Sequence, residues 1–441
     1  MITEAQLIEI GKQAVALSSA EQTEAILTGG ASNLTRYANN TIHQNVSQAD
    51  VDLRVRAAFG KRVGVAVTND LSEAGVRRCV ASAAEIARHQ EENEDFLGLA
   101  EPAAYEPVPA ECGHTGACSP EERAEAVARI LAIAEGNGLV ASGAFATSPH
   151  VLAVVNSRGV AASQAYAAAD LNVTMSGPTS TGRAAWTAMD VAEVDAAAAG
   201  ERAARKALQS ADPVTVEPGD YTVVLEEDAV GDLVGFLGYM GFGGKAFNEG
   251  RSCLSGKLGE RVCGENITIY DDGLDPRFMP LPFDFEGVPR RKVMLIEGGI
   301  ARGVVHDRTT AAQAGVEPTG HATPPPGAWG PYPMHLKLVP GDSTVEEMVA
   351  STERGLLVTR FHYTNIVHPL RTELTGMTRD GTFLIENGKL TRGVKNLRFT
   401  QSVLGALSNV EMIGKTPCIA DGCLVPALKV KSFHFSGATE F

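Results

Sequence analysis

This sequence predicts a fold that combines α-helices with β-strands, and two observations support that prediction. In the N-terminal half, runs with helical spacing of apolar residues stand between stretches in which polar and apolar side chains alternate, as along 49–59. The C-terminal half is rich in short strand-like runs, glycine and proline. Because 441 residues exceed what one ordinary core holds, we expect two domains, 1–214 and 215–441, separated by the proline- and glycine-containing stretch 212–219.

The helical spacing and the strand-like alternation predict the first elements of the chain. Gly60-Lys61 marks a hairpin turn, and Asn69 or Asp70 is the expected N-cap of the helix that follows the next strand. The expected elements are, in order, a helix over 3–18, a short strand over 24–29, alternating strands over 34–47 and 49–59, a strand over 62–68 and a helix over 71–90.

A stretch rich in glutamate, proline and glycine, 91–119, is the first linker-like segment of the chain. After it we expect a helix over 120–136, strands within 140–189 and an alanine-rich helix over 194–210. Segment 168–175 repeats the pattern of 48–55, an Ala-Asp pair followed by alternation, which raises the hypothesis of a duplicated sheet unit.

The C-terminal half opens with an apolar strand over 221–225 that leads into an amphipathic helix. The apolar stripe of that helix has i, i+3, i+4, i+7 spacing and consists of Val230, Leu233, Val234 and Leu237. Near the end of the chain, Asn387-Gly388 predicts a tight hairpin turn between strands over 383–386 and 393–400.

Composition narrows the class of protein. The net charge of −15 repels phosphate backbones, so we expect no nucleic-acid ligand. Apolar runs long enough to span a bilayer are absent from the sequence, and the acidic N-terminus lacks the features of a signal peptide, so we expect no membrane partner and a cytoplasmic location. Seven scattered cysteines fit a reducing compartment.

The turn that begins the C-terminal helix resembles the metal-binding helix of the TldD/TldE (PmbA) family, whose catalytic subunit reads His-Glu-x-x-x-His. On that alignment Glu227 and Asp232 take the two histidine positions, and Asp228 takes the glutamate position. The segment 378–414 is similar to the family's closing sheet, and the resemblance covers most of 20–435. Since zinc peptidases use imidazole ligands, three carboxylates make a poor zinc site, and the chain resembles the TldE/PmbA-like subunit that lacks the motif.

The resemblance to this family also implies a fold, a distribution of the metal cofactor and a function. The fold would be α+β, with a mixed N-terminal domain of helices and strands and a β-rich C-terminal domain that carries the degenerate metal-site helix. This chain would hold no cofactor, and zinc would be bound only by a TldD-like partner. The complex would process unfolded peptides, and the family's historical name, modulator of DNA gyrase, would reflect processing of peptides and proteins that act on gyrase.

Two cysteines lie where the catalytic subunit of the family carries a third metal ligand. They are Cys418 and Cys423, and the PALKV run after them fixes the register without deciding which of the two matches. A single thiolate without histidine partners does not hold zinc, and a small semi-buried side chain is the alternative interpretation.

The carboxylates of the motif have two interpretations. In the first interpretation they form a residual cation site or a water-polarising group. In the second they are carboxylates at the N-terminus of a helix, where the helix macrodipole stabilises their negative charge. Positions five apart diverge by roughly 140° around an ideal helix, so Glu227 and Asp232 should point apart, whereas Asp228 and Asp232 share a face. That pair would suit Ca²⁺ or Mg²⁺ better than Zn²⁺.

A group of histidines in the C-terminal half suggests a second candidate site. Family members have a groove between their domains, and we expect two or three of these side chains to meet there and bind a peptide or, as an alternative, a metal. The candidates are His321, His335, His362, His368 and Arg371. Each histidine alone is more often a hydrogen-bonded surface or core residue.

Three functions remain open from the sequence. The first is a TldE/PmbA-like subunit of a cytoplasmic metallopeptidase complex, and the second is a homodimeric peptide-binding protein without hydrolytic activity. The third is an atypical stand-alone hydrolase, which the missing histidines argue against. In each oligomeric case we expect contact through the β-rich half, because edge strands need cover.

Overall fold

A computed structural model describes residues 2–109 and 113–439 of the chain, and it contains helices and several sheets, which confirms the prediction of an α+β fold. The helices are α1 (Glu4–Ala16), α2 (Glu73–His89), α3 (Gly113–Ala117), α4 (Pro120–Gly136), α5 (Ala196–Gln209), α6 (Glu227–Gly241), α7 (Gly244–Asn248), α8 (Arg308–Ala314), α9 (Val345–Ala350) and α10 (Val403–Leu407). The strands are β1 (Gln22–Ala38), β2 (Thr41–Phe59), β3 (Arg62–Thr68), β4 (Val140–Asn156), β5 (Ala161–Ser176), β6 (Thr181–Ala188), β7 (Gly219–Leu225), β8 (Ile269–Asp271), β9 (Val293–Glu297), β10 (Ile300–Ala301), β11 (Leu336–Leu338), β12 (Arg354–His368), β13 (Glu373–Glu386), β14 (Lys389–Gly393), β15 (Leu397–Ser402), β16 (Val410–Ile413), β17 (Cys418–Ala420), β18 (Cys423–Val425) and β19 (Leu428–Ala438).

The first sheet has the order β3-β2-β1-β4-β5-β6 and is antiparallel throughout. Each half of it repeats one unit, a helix, three strands and a second helix, with α1 and α2 around the first unit and α4 and α5 around the second. The similar segments 48–55 and 168–175 lie on β2 and β5, the middle strand of each unit. The arrangement is therefore the duplicated sheet unit that the sequence suggested.

Each unit has its own core. Apolar side chains of the flanking helices pack onto one half of the sheet, which accounts for the helical spacing read from the sequence. Members of the first core are Leu7, Leu27, Leu53, Val76 and Val80. Members of the second are Val127, Ile130, Phe145, Leu171 and Ala203. Burial of each large aliphatic side chain contributes about 1.5–3 kcal/mol.

The C-terminal residues form two further sheets, with the orders β10-β9-β8-β11-β18-β17 and β12-β7-β19-β15-β13-β14, and β16 pairs with β19. Helix α6 packs against strands of both sheets and belongs to the largest core, in which the predicted stripe from Val230 to Leu237 is fully buried. A side chain at Gly231 would lie 2.3 Å from the carbonyl oxygen of Ala420, so glycine there lets β17 approach the helix closely.

Two expectations about the first strands were wrong. The strand expected over 24–29 is much longer, since β1 extends from Gln22 to Ala38. The strand expected over 34–47 is the end of β1, a turn and the start of β2. Asn39 and Asn40 occupy that turn with φ of 51° and 57°, the left-handed region that asparagine tolerates and tight hairpins require.

Two other local expectations need correction. Helix α2 is capped by Ser72, whose hydroxyl accepts a hydrogen bond from the Gly75 N–H at 3.1 Å, and Asp70 instead accepts one from the Ser72 N–H. The turn at Asn387-Gly388 is confirmed, but its second strand is β14, which begins directly after the turn, and not a strand over 393–400.

The segment 91–119 is largely irregular where the structure describes it, with α3 near its end, and residues 110–112 lie outside the described part. Within 2–109 and 113–439, the structure contains no helix long and apolar enough to cross a membrane.

Candidate functional site

The candidate site lies at the N-terminus of α6, where the C-terminal half meets the first sheet. Strand β7 ends at Leu225, and Glu226 follows as the N-cap of the helix, with its backbone N–H bonded to the Val358 carbonyl at 3.0 Å. The next two positions, Glu227 and Asp228, complete an acidic first turn, which the helix dipole favours.

Glu226 is buried and is held by two cations from α5. Lys206 and Arg202 both donate hydrogen bonds to its carboxylate, the latter at 3.1 Å. Burial alone would raise the pKa of Glu226, but Lys206 and Arg202 outweigh it and hold that pKa at about 2. Glu226 is therefore ionised at neutral pH and links α6 to α5 of the first sheet.

The two neighbouring carboxylates also face guanidinium groups. Arg202 donates to Glu227 Oε2 at 3.1 Å, and Arg183 on β6 forms an ion pair with Asp228 at 3.5 Å without a hydrogen bond. Glu227, which the sequence resemblance aligned with the first motif histidine, is thus already paired with the chain's own Arg202. A cation would have to displace that arginine to bind there.

Cys418, at the start of β17, is close enough to Glu227 and Asp228 to be affected by their charge. Cys418 is exposed, but the protein atoms around its thiol partly desolvate it. This desolvation, and then the charge of Glu227, raises the pKa of the thiol to about 11, so it stays protonated at neutral pH. Cys423 is buried, and burial raises its pKa as well. Among the described residues, no three His, Cys, Asp or Glu side chains are grouped so that they could hold a metal ion.

Asp232 lies on another side of α6, beside Asp421 in the turn between β17 and β18. The Thr364 hydroxyl donates to Asp232 Oδ2 at 2.5 Å. Burial raises the pKa of Asp232 to about 7, with a further contribution from Asp421 that Thr364 opposes. Glu227 and Asp232 therefore face different surroundings, and the structure does not bring them together.

Stability should depend on pH through Asp232. The folded-state pKa, about 7, lies above the ordinary value of 3.8, so the stability gained by protonation is complete below about pH 4 and is lost as the pH rises through 7. Asp232→Asn cannot ionise, so the unmodified chain should lose stability relative to this variant between about pH 5 and about pH 8. Urea unfolding at both values measures the difference, and a difference that does not change with pH would contradict the assignment.

Two cavities flank these residues. The larger, of 1150 Å³, lies between β6 and β17 beside Glu227 and Cys418. The smaller, of 460 Å³, lies on the Asp232 side. Both cavities are lined by Asp228 and Arg183, and also by Ala185, Thr187, Met189, Ile419 and Ala420. Apolar walls of the larger cavity come from Trp186, Pro276, Pro417, Ile419 and Leu424.

The backbone edge of β6 faces the larger cavity, since every residue from 183 to 188 lines it although their side chains alternate between two faces. Strand β6 is the last strand of its sheet. Side chains of Ser210, Lys206 and Thr115 donate to the carbonyls of 181, 183 and 189, at 3.0, 3.2 and 2.8 Å. The backbone N–H and C=O groups of the odd-numbered residues of β6 therefore point away from β5.

The N–H and C=O groups of Ala185 and Thr187 point outward in the same way. Among the described residues, no group forms a hydrogen bond with them on this side. We call their N–H and C=O groups the open β6 edge. A sheet edge whose N–H and C=O groups are unpaired is able to pair with another extended chain.

The histidines are placed in two separate regions. His321 is fully buried, with Nε2 2.8 Å from Asp271 Oδ1, and His335 is buried beside it with its N–H bonded to the same carboxylate. Burial lowers the pKa of His335 to about 3, so its ring is neutral. The expectation that His321 lines a groove is wrong, because its ring is buried in the interior and hydrogen-bonded to Asp271.

The remaining candidates lie along the distal part of β12. His362 and His368 are half-buried and Arg371 is exposed in the turn after the strand. None of them lines either cavity beside α6.

Sequence reasoning missed the cations that define the site. Arg202 and Lys206 are four apart on an otherwise alanine-rich helix, so they share a face with its buried stripe, and that spacing was the available signal. Arg183 and Thr364 carried no comparable signal, since their partners on α6 are distant in sequence.

Comparisons with known proteins bear on both halves of the chain. The description "PmbA/TldA metallopeptidase C-terminal domain" matches residues 218–437, and "PmbA/TldA metallopeptidase domain 1" matches 23–87, together more than half of the chain. A metalloprotease of Methanothermobacter thermautotrophicus is 29% identical over 38% of this chain and 36% of its own length. A metalloprotease TldD homolog of Haemophilus influenzae is 28% identical over 48% of this chain and 44% of its own length. The chain thus spans less than half of these curated relatives.

Solved structures show the same fold over the whole chain. TldE from Thermococcus kodakarensis has a TM-score of 0.88 and 22% identity, covering 98% of this chain and 99% of that one. A candidate modulator of a DNA gyrase from Thermotoga maritima has a TM-score of 0.86 and 19% identity, covering 97% and 99%.

Proposed function

Because this chain belongs to the PmbA/TldD metallopeptidase family, we propose that it is the metal-free subunit of a cytoplasmic metallopeptidase complex. A TldD-like chain supplies the metal and the general base in this complex. The observation that carries the proposal is the pairing of Glu226 and Glu227 with Arg202 and Lys206. The chain's own cations neutralise the carboxylates that stand at and beside the first motif histidine.

The chemistry explains why a partner is needed. Hydrolysis of an amide bond at neutral pH requires an activated water and a base of suitable pKa. Asp228, at the position of the motif glutamate, is tied to Arg183, and the thiol of Cys418 is protonated. These residues can help to hold a substrate in the cleft, but they do not activate a water molecule or another nucleophile.

The cleft itself suits an unfolded peptide as substrate. The open β6 edge offers alternating backbone donors and acceptors, which recognise an extended chain regardless of its side chains. The apolar wall around Trp186 gives room for side chains next to that edge. This arrangement also supports the alternative function, a peptide-binding protein that acts without a hydrolytic partner.

The complex is tested by co-purification with a relative that carries His-Glu-x-x-x-His, followed by elemental analysis. We expect the two chains to elute together, with zinc in the complex and without stoichiometric zinc in this chain alone. The matched control is the same relative with both motif histidines changed to alanine, which should still elute with this chain but carry no zinc. Stoichiometric zinc in the isolated chain, or separate elution, would overturn the proposal.

A further inference from the structure

A third cavity, of 470 Å³, lies beside β3, at the opposite end of the first sheet from β6. Its walls come from β2 and β3, from the segment 90–98, from α7 and α8, and from the proline-rich loop 322–330. It shares no lining residue with the two cavities beside α6. We call it the β3 cavity, and its volume is that of a small-molecule site.

Hydrogen bonds hold both of the loops that enclose the β3 cavity. The Asn93 N–H donates to the Lys61 carbonyl at 2.9 Å, which fixes the segment 90–98 to the hairpin of β2 and β3. Arg54 on β2 donates to the Pro325 carbonyl at 2.9 Å, which fixes the proline-rich loop to the same strand. The walls are therefore formed by the fold itself, as in most small-molecule sites.

Three charged side chains meet at the inner wall of the cavity. Arg56 Nη1 donates to Glu286 Oε1 at 3.3 Å, and Arg56 Nη2 lies 2.8 Å from Glu24 Oε1 in an ion pair without a hydrogen bond. Arg56 and Glu286 line the cavity, and Glu24 is fully buried beside them. Two carboxylates thus share one guanidinium group, which leaves a surplus negative charge in a buried place.

These side chains also have hydrogen-bonding atoms to spare. Within the described ranges, no group bonds to either carboxylate oxygen of Glu24, to Oε2 of Glu286 or to Nε of Arg56, and each of these atoms is buried. A buried polar atom without a partner is costly, and most such atoms in proteins are satisfied by another group. A cluster of them at the wall of a cavity indicates that the cavity holds a polar ligand.

A further carboxylate makes the inner wall more acidic. Asp307, the N-cap of α8, lines the cavity, and its Oδ1 accepts a hydrogen bond from the Thr310 N–H at 2.7 Å. Burial, and to a smaller extent the charge of Glu286, raises the pKa of Asp307. Because these carboxylates are not grouped as metal ligands in the part of the chain that the structure describes, the wall suits an ammonium group better than a metal ion.

The mouth of the cavity is acidic as well. Glu91 and Asp95 line the cavity with exposed side chains. Two other cations of the wall already have acceptors within the chain, since Lys245 donates to the carbonyl of residue 328 at 2.7 Å and Arg308 donates to that of residue 98. Apolar parts of the wall come from Val63, Val65, Phe96, Leu97, Pro325 and Pro326. The β3 cavity therefore offers carboxylates at its inner wall and its mouth, and apolar surface for a carbon chain.

We propose that the β3 cavity binds a small aliphatic diamine. One ammonium group donates to Glu286 and Asp307 at the inner wall, and the other lies beside Glu91 and Asp95 at the mouth. A lysine side chain of a peptide carries the same ammonium chemistry, but the two fixed loops that enclose the cavity favour a free small molecule. The site requires neither a metal nor a TldD-like chain, so it does not depend on the proposed function.

Isothermal titration calorimetry of the full chain with three probes tests the ligand class. We expect diaminopentane to bind with one site per chain, aminopentane to bind about fivefold more weakly because it lacks the exposed ion pair at the mouth, and pentanediol not to bind. N-acetyl-lysinamide is the probe for a peptide source and should bind more weakly than diaminopentane. Tighter binding of N-acetyl-lysinamide, or no heat with diaminopentane, would overturn the proposal.

Two sets of variants separate the two ends of the cavity. Glu286→Gln should weaken the binding of both amines by about tenfold or more, because it removes a charged acceptor at the inner wall. Glu91→Gln with Asp95→Asn should weaken diaminopentane and leave aminopentane unchanged. Glu135→Gln, on the exposed end of α4, is the matched control and should change neither affinity. The two mouth residues are exposed, so their exchange leaves the fold intact, and unchanged diaminopentane affinity in both sets would exclude this site.

Discussion

Cleavage of an unstructured peptide is expected only when this chain is mixed with a relative that carries His-Glu-x-x-x-His. The physical reason is that the residues which the resemblance aligns with the motif are carboxylates, of which Glu227 and Asp228 are paired with arginines. We expect at least about a hundredfold more cleavage in the mixture than with this chain alone, the order of magnitude that acid–base catalysis contributes. A fluorogenic disordered peptide measures the rate, and a chelator should abolish it. Chelator-sensitive cleavage by the isolated chain would contradict the assignment.

Restoring the motif within this chain is a stricter version of the same experiment. Glu227→His, Asp228→Glu and Asp232→His together should yield measurable metal affinity but little turnover. The new imidazoles would lack the carboxylate or carbonyl partners that orient metal-bound histidines. Arg202 would also remain beside position 227, where its charge opposes a metal ion.

A matched pair of variants examines the open β6 edge in the active mixture. Ala185→Pro removes an outward N–H and should weaken peptide capture, whereas Ala185→Val keeps that N–H at similar bulk. We expect the proline variant to raise KM relative to the valine variant. Equal KM values would mean that the peptide does not pair with β6.

Lys206→Met should be among the most destabilising single changes in the molecule, at about 3 kcal/mol, because it leaves the buried carboxylate of Glu226 with one cation instead of two. Methionine keeps most of the volume of the lysine stem, so a cavity contributes little to the loss. Urea unfolding at neutral pH measures the free energy of unfolding. Lys12→Met, on the exposed face of α1, is the matched control and should change it by less than about 0.5 kcal/mol.

The pH dependence separates charge from packing. The folded-state pKa of Glu226, about 2, is below its ordinary value of 4.5, so its contribution to stability is complete above about pH 4.5 and is lost as the pH falls towards 2. The difference between the unmodified chain and Lys206→Met should therefore shrink over that range. A constant difference would show that lost packing, and not the ion pair, causes the destabilisation.

Local patterns predicted most of the elements because the signals that define them are local. The stripe from Val230 to Leu237 identified α6 and its buried face, and Asn387-Gly388 identified a tight turn, since each depends on residues a few positions apart. The same logic failed at Asn39-Asn40, where two turn residues stood inside an otherwise continuous alternation and were read as strand.

The sequence by itself determined the α+β class and the family, because these depend on residue type, period and order along the chain. Only the tertiary structure decided what surrounds the motif positions. Arg183 and Arg202 reach α6 from β6 and α5, and Asp271 draws His321 into the interior from a strand fifty positions away. The charge state of a carboxylate or an imidazole depends on which cations, acids and solvent lie within a few ångströms, and folding brings those neighbours together from distant parts of the chain.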